Sequence, residues 1–85
     1  MQGLSIIEIE KGVRRVISKV LMIDEVMIKN ESTLSDLGGD SLAALGIISA
    51  LEQEFNINIS DEDAVKINSF SSAVNVLVEI LKAQA

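Results

Sequence analysis

A chain of 85 residues with no cysteine and no histidine has room for one small domain, and it offers neither disulfide staples nor thiolate metal ligands. Hydrophobic residues make up 48%, enough for one core, although at this length the margin of stability is slim. The net charge of −6 argues against a nucleic-acid partner, which would need cations gathered on one face.

The charge is unevenly placed. Residues 21–65 hold ten of the 13 acids and one cation, Lys29, whereas residues 1–20 hold four cations and two acids. An acidic middle suits basic protein partners, mainly by raising the rate of encounter. It equally suits a solvated face that keeps the protein dissolved. Residues 1–10 lack the basic stretch of a secretory signal, and Glu8 and Glu10 interrupt their apolar positions. No uncharged apolar run reaches the ~18–20 residues that crossing a bilayer requires. A soluble cytoplasmic protein with no membrane insertion is expected.

The first periodic segment runs from about Ser5 to Leu21. Ile6, Ile9, Val13, Ile17 with Val16, and Val20 recur at helical spacing, while Glu10, Lys11, Arg14, Arg15 and Lys19 fill the opposite face. Ser5 with Glu8 forms a capping box. This helix reads as scaffold, with Arg14-Arg15 as a possible contact patch. From Met22 to Asp40 the periodicity dissolves. Asn30, Ser32, Thr33, Ser35 and Asp36 are turn formers, and Ile28, Leu34 and Leu37 are apolar pins. Loops of this length usually carry function or short structure of their own. Leu34 and Leu37 are expected to anchor a turn that delivers Gly38-Gly39 to a fixed place.

A second helix is predicted from Ser41 to about Phe55, with Ala44, Ile47 or Ile48, Leu51 and Phe55 facing inward. Asp40 is its N-cap. Ser41 is then its first helical residue, where amide groups lack intrahelical partners and the helix dipole favours an anion. Local chemistry alone makes this an ordinary helix start. Gly39-Asp40-Ser41-Leu42 also spells the motif of the GDSL hydrolases, but a nucleophilic serine needs a base, usually histidine, and the chain has none. No catalytic residue is assigned. Gly46 marks either a close approach by another surface or a tolerated exposed glycine.

Asn56-Ile57-Asn58-Ile59 alternates like a strand but has no partner strand, so it reads as loop. Ser60 caps a short helix predicted over 61–67, with Asp61, Glu62 and Asp63 in its first turn. These acids do not make a calcium loop, because the sixth and twelfth positions from Asp61 are Lys66 and Ser72. No metal ligand is assigned. A last helix starts near Ser69–Ser71 and runs to about Lys82, burying Phe70, Val74, Leu77 and Leu81, with Ala73 and Ile80 widening the stripe. Ala83-Gln84-Ala85 is expected to fray.

Leu37-Gly38-Gly39-Asp40-Ser41-Leu42, Leu51-Glu52-Gln53-Glu54-Phe55 and Ile59-Ser60-Asp61-Glu62-Asp63, at these distances and in a chain of this length, resemble the acyl carrier proteins over nearly the whole sequence. The resemblance implies an all-α bundle of three longer helices with a short one between the last two, filling residues 1–85 as one acyl-carrier domain. It implies a non-catalytic carrier that holds acyl groups as thioesters on 4′-phosphopantetheine, taken from coenzyme A and attached to Ser41. Asp40 would help position the serine and the transferase's magnesium ion. Leu42 would be an apolar contact beside the arm, Ile47, Ile48 and Leu51 would border an acyl cavity, and Glu52, Glu54, Asp61 and Glu62 would meet basic patches on partners. Those partners are a phosphopantetheinyl transferase and acyl-loading, condensing and acyl-transfer enzymes, with the carrier itself a monomer. The sequence departs from carriers of fatty-acid synthesis at Ala43 and Gly46, where they usually have acids, and Gly38-Gly39 is more similar to polyketide and nonribosomal-peptide carriers. A freestanding specialised carrier in fatty acid, specialised lipid or polyketide biosynthesis is expected. A peptidyl or aminoacyl (nonribosomal or D-alanyl) carrier, or an unmodified helical interaction module, is the alternative.

Overall fold

Side chains write the helix starts. In the computed structural model, which describes residues 5–84, the Ser5 hydroxyl accepts the Glu8 amide and Glu8 Oε1 accepts the Ser5 amide, closing the capping box that opens α1, Ile6–Leu21. Asp40 caps α2, Ser41–Phe55, and Ser60 caps α3, Asp61–Ala64. Ser69 opens α4, Phe70–Gln84, by accepting the Ser72 amide while Ser72 Oγ accepts the Ser69 amide. The described residues are all-helical apart from one isolated antiparallel bridge, Thr33 to Ser69.

Helices α1 and α2 end alike. Met22 and Asn56 adopt the left-handed conformation, and the next residue in each case, Ile23 or Ile57, returns its amide to a carbonyl of the last turn. This is the Schellman pattern, in which an apolar residue after the cap folds back on the core. Asn56 tolerates that conformation well; Met22 does so at a steric cost, offset by the packing of Ile23 against the core.

One core joins the three long helices, and α1 packs against both α2 and α4. Ile9, Val13, Val16 and Ile17 of α1 meet Ile47 and Leu51 of α2 and Phe70, Ala73, Val74 and Leu77 of α4, with Ile28, Leu34, Ile57, Ile59 and Ile67 filling in from the connections. Ile6, expected on the inward stripe, is instead 57% exposed, at the edge of an open depression that it shares with Asn30 of the loop and Phe70 and Val74 of α4. Arg14 and Arg15 are both engaged within the fold. The Arg14 guanidinium lies 4.3 Å from the centre of the Phe70 ring and its Nε donates to the Ile28 carbonyl, while Arg15 forms an ion pair with Glu54.

The connection between α1 and α2 contains a 3₁₀ turn, Glu25–Met27, that no apolar periodicity announces, since all three of its residues are exposed. α3 is shorter than expected and stops at Ala64. Ile67, which completes a helical-looking pattern, is drawn into the core by a turn instead, donating its amide to the Ala64 carbonyl. α4 continues through Ala83 and Gln84, beyond the expected end at Lys82; Ala85, the last of the residues expected to fray, lies outside the described residues.

Two glycines in the long helices do different work. A methyl group on Gly12 would stand 2.5 Å from Cζ of Phe55, so the ring lies against the α1 backbone and a side chain there would have to displace it. On Gly46 the same group would make an ordinary contact, 3.4 Å from Cγ1 of Val20. Both substitutions to alanine gain helix propensity of about 1 kcal/mol; only Gly12→Ala also meets an overpacking cost of about 1–3 kcal/mol. Urea denaturation followed by circular dichroism should therefore show Gly46→Ala more stable than the parent protein and Gly12→Ala less stable than Gly46→Ala.

Candidate functional site

The approach to Ser41 is built from the loop upward. Leu34 is buried, its amide donates to the Asn68 carbonyl at 2.9 Å, and its carbonyl accepts the amides of Leu37 and Gly39. The Phe70 amide donates to the Ser32 carbonyl at 3.0 Å, so the loop is stitched to the start of α4 on both sides of the Thr33–Ser69 bridge. Gly38 has φ +90°, a backbone conformation that only glycine adopts without strain. At Gly39 a Cβ would sit 3.0 Å from the Leu34 carbonyl oxygen, so a side chain there would push the loop off its own anchor. The pair of glycines brings the chain round to Asp40 in one place.

Asp40 Oδ1 accepts the Ala43 amide at 2.8 Å and its carbonyl accepts the Ala44 amide at 2.9 Å. Because the aspartate does the capping, the neighbouring Ser41 hydroxyl is free of that duty. Ser41 is exposed, at the first position of α2, where unpaired amides and the helix dipole favour a phosphate. The residues present thus suit a phosphoester at this hydroxyl: a presented oxygen, a separate cap, and no side chain on the two residues before the cap.

The surface beside the serine is apolar. Leu42 is 78% exposed and Leu45, one turn beyond Ser41, is 64% exposed. No side chain of α2 is charged before Glu52. Leu45 lies off the inward stripe of α2, which is the signal in the sequence for its exposure. Ile47 and Leu51 are fully buried and Ile48 half-buried, all on the core side of the helix that presents Ser41.

The acids divide into two groups. Asp61 and Glu62 are exposed in the first turn of α3. Glu52 and Glu54 are occupied within the fold: Oε2 of Glu52 accepts the Ile59 amide at 2.8 Å, and Glu54 pairs with Arg15. Among the described residues no cluster of three or more acidic, histidine or cysteine side chains could hold a metal ion, and no helix is long and apolar enough to cross a membrane.

An exposed serine at the first position of a helix in a small helical bundle suits a covalently attached group. The comparisons with known proteins agree. A family model described as the phosphopantetheine attachment site matches residues 11–77. The chain is also 43% identical over 70 residues to the acyl carrier protein of Buchnera aphidicola subsp. Schizaphis graminum (strain Sg), covering 81% of this chain and 89% of that protein. The chain belongs to the acyl carrier protein family. It is a non-catalytic carrier whose prosthetic group is 4′-phosphopantetheine, and it works with a phosphopantetheinyl transferase and biosynthetic enzymes.

The geometry predicts which changes weaken the start of α2. Asp40→Ala should cost about 1 kcal/mol by loss of the cap, with Asp40→Asn retaining most of it. Gly38→Ala should cost about 1–2 kcal/mol through backbone strain alone, because its methyl group would meet no atom within 4 Å. Chemical denaturation of the three variants checks both.

Proposed function

We propose that Ser41 carries the 4′-phosphopantetheine arm and that the chain, as one acyl-carrier domain in the cytoplasm, delivers acyl groups to enzymes of fatty acid, specialised lipid or polyketide biosynthesis. The observation that supports this most is the division of labour at α2: Asp40 holds the helix start, leaving the Ser41 hydroxyl exposed for modification. Once attached, the group supplies the thiol that a chain without cysteine lacks and holds acyl groups as thioesters. Asp40, capping through Oδ1, keeps its second carboxylate oxygen for the transferase's magnesium ion. The buried pair Ile47 and Leu51, with Ile48 at its edge, is where an acyl chain on the arm would find apolar surroundings.

Partners that reach Ser41 must also cover Leu42 and Leu45, since a residue one turn along a helix lies within about 6 Å. With Ala43 and Gly46 in place of acids, the contact beside the serine is apolar, and this favours a specialised carrier read by shape. The exposed acids Asp61 and Glu62 are the ones open to a cationic patch on such a partner. Glu52 and Glu54 would first have to leave Ile59 and Arg15.

Intact mass after incubation with a broad-specificity transferase, coenzyme A and magnesium should show the addition of one phosphopantetheine to the parent protein and none to Ser41→Ala. Equal modification of Ser41→Ala would sink the assignment. Leu45→Asp, with its helical spectrum unchanged, should be modified about tenfold more slowly, the equivalent of about 1.4 kcal/mol of lost apolar contact.

A further inference from the structure

The seam between α1 and α2 is open from Val20, which lies against Gly46, to the far end of α2 at Phe55. Val16, Val20 and Ala50 floor a groove of about 510 Å³ whose edge carries Lys19 and Glu54. Glu54 also borders a second depression of about 350 Å³, which has Gly12 and Phe55 at its base and Lys11 and Arg15 at its rim. The two lie along α1 and share Glu54, which is paired with Arg15.

Lys11, Arg15 and Lys19 follow one another at four-residue spacing and are all exposed, so they line one face of the helix. The acids nearby are Glu8, which accepts the Ser5 amide, and Glu54, which pairs with Arg15, two against the three cations. This face is net cationic in a chain of net charge −6 whose acids crowd into residues 21–65. An anionic bilayer would be repelled by the rest of the molecule. A narrow acidic protein segment would meet only the cationic face.

We propose that this seam docks an acidic helical segment of a partner protein. An apolar side chain of that segment enters the groove over Val16, Val20 and Ala50, and its carboxylates lie along Lys11, Arg15 and Lys19. One of those carboxylates takes the place of Glu54 on Arg15. Glu54 stands about 20 Å along α2 from Ser41 at the usual helical rise, so the docked segment leaves the serine open. The site is a mooring that holds the carrier in an assembly while its other end visits enzymes, and it does not depend on the assignment of Ser41.

The test uses the full chain, ¹⁵N-labelled, and a synthetic helical peptide bearing leucine on one face and glutamates at four-residue spacing beside it. Saturable amide shifts at Val16, Val20, Ala50 and Phe55 are expected. The double variant Lys11→Glu with Lys19→Glu should bind at least about tenfold more weakly, as the loss of two charge contacts implies, and Glu54→Gln should bind more tightly because Arg15 is released. Phosphopantetheine addition to the double variant should proceed at the parent rate, which separates this site from the one at Ser41. The proposal fails if the peptide does not saturate, if its shifts centre on Leu42 and Leu45, if a peptide with lysines in place of the glutamates binds equally well, or if vesicles of anionic phospholipid bind and the peptide does not.

Discussion

The geometry around Ser41 rests on one buried leucine in the long connection. Leu34 sinks its side chain into the core and gives its amide to Asn68 and its carbonyl to Gly39, so a single residue ties the loop to the beginning of α4 and aims the chain into α2. An interior-facing backbone group has to be paired or it costs the fold dearly. Pairing one group of a residue to a distant element and the other to the far end of its own loop turns that requirement into a positioning device. Everything downstream, from the left-handed turn at Gly38 to the cap at Asp40, inherits its place from this peg.

The fold then separates holding from doing. α1 supplies the buried stripe and the close approach at Gly12, α4 closes the core through Phe70 and Leu77, and Arg14 bridges α1, the loop and α4. α2 contributes Ile47 and Leu51 inward and shows Ser41, Leu42 and Leu45 outward. A carrier has to be recognised by several enzymes without being held by any of them for long. A small, mostly uncharged surface beside the proposed attachment point would serve that need, because contact there can form and release without desolvating an ion pair.

Much of this was legible along the chain because it is local. Ser5 with Glu8, Asp40 before Ser41, and Ser60 before Asp61 announce helix starts through side-chain-to-amide bonds that span three residues, and the inward stripes of α2 and α4 follow from spacing alone. What could not be read is non-local. Gly12 looks like a weakness until the Phe55 ring from another helix is found against it. Glu52 and Glu54 look like free surface acids until Ile59 and Arg15 arrive to bind them. Ile67 fits a helical period, yet the core claims it through a turn and shortens α3. The exposed first turn of α1 at Ile6 and the 3₁₀ turn at Glu25–Met27 likewise depend on which neighbours are near.

Because the carboxylate of Asp40, and not the hydroxyl of Ser41, closes the first turn of α2, esterifying that oxygen breaks no bond that keeps the helix wound. With the arm on Ser41, the bare and armed forms would share one helix start of nearly constant free energy. An enzyme that must tell the bare form from the armed one would then have to interrogate the tether itself, since the helix start beneath it is wound alike in both.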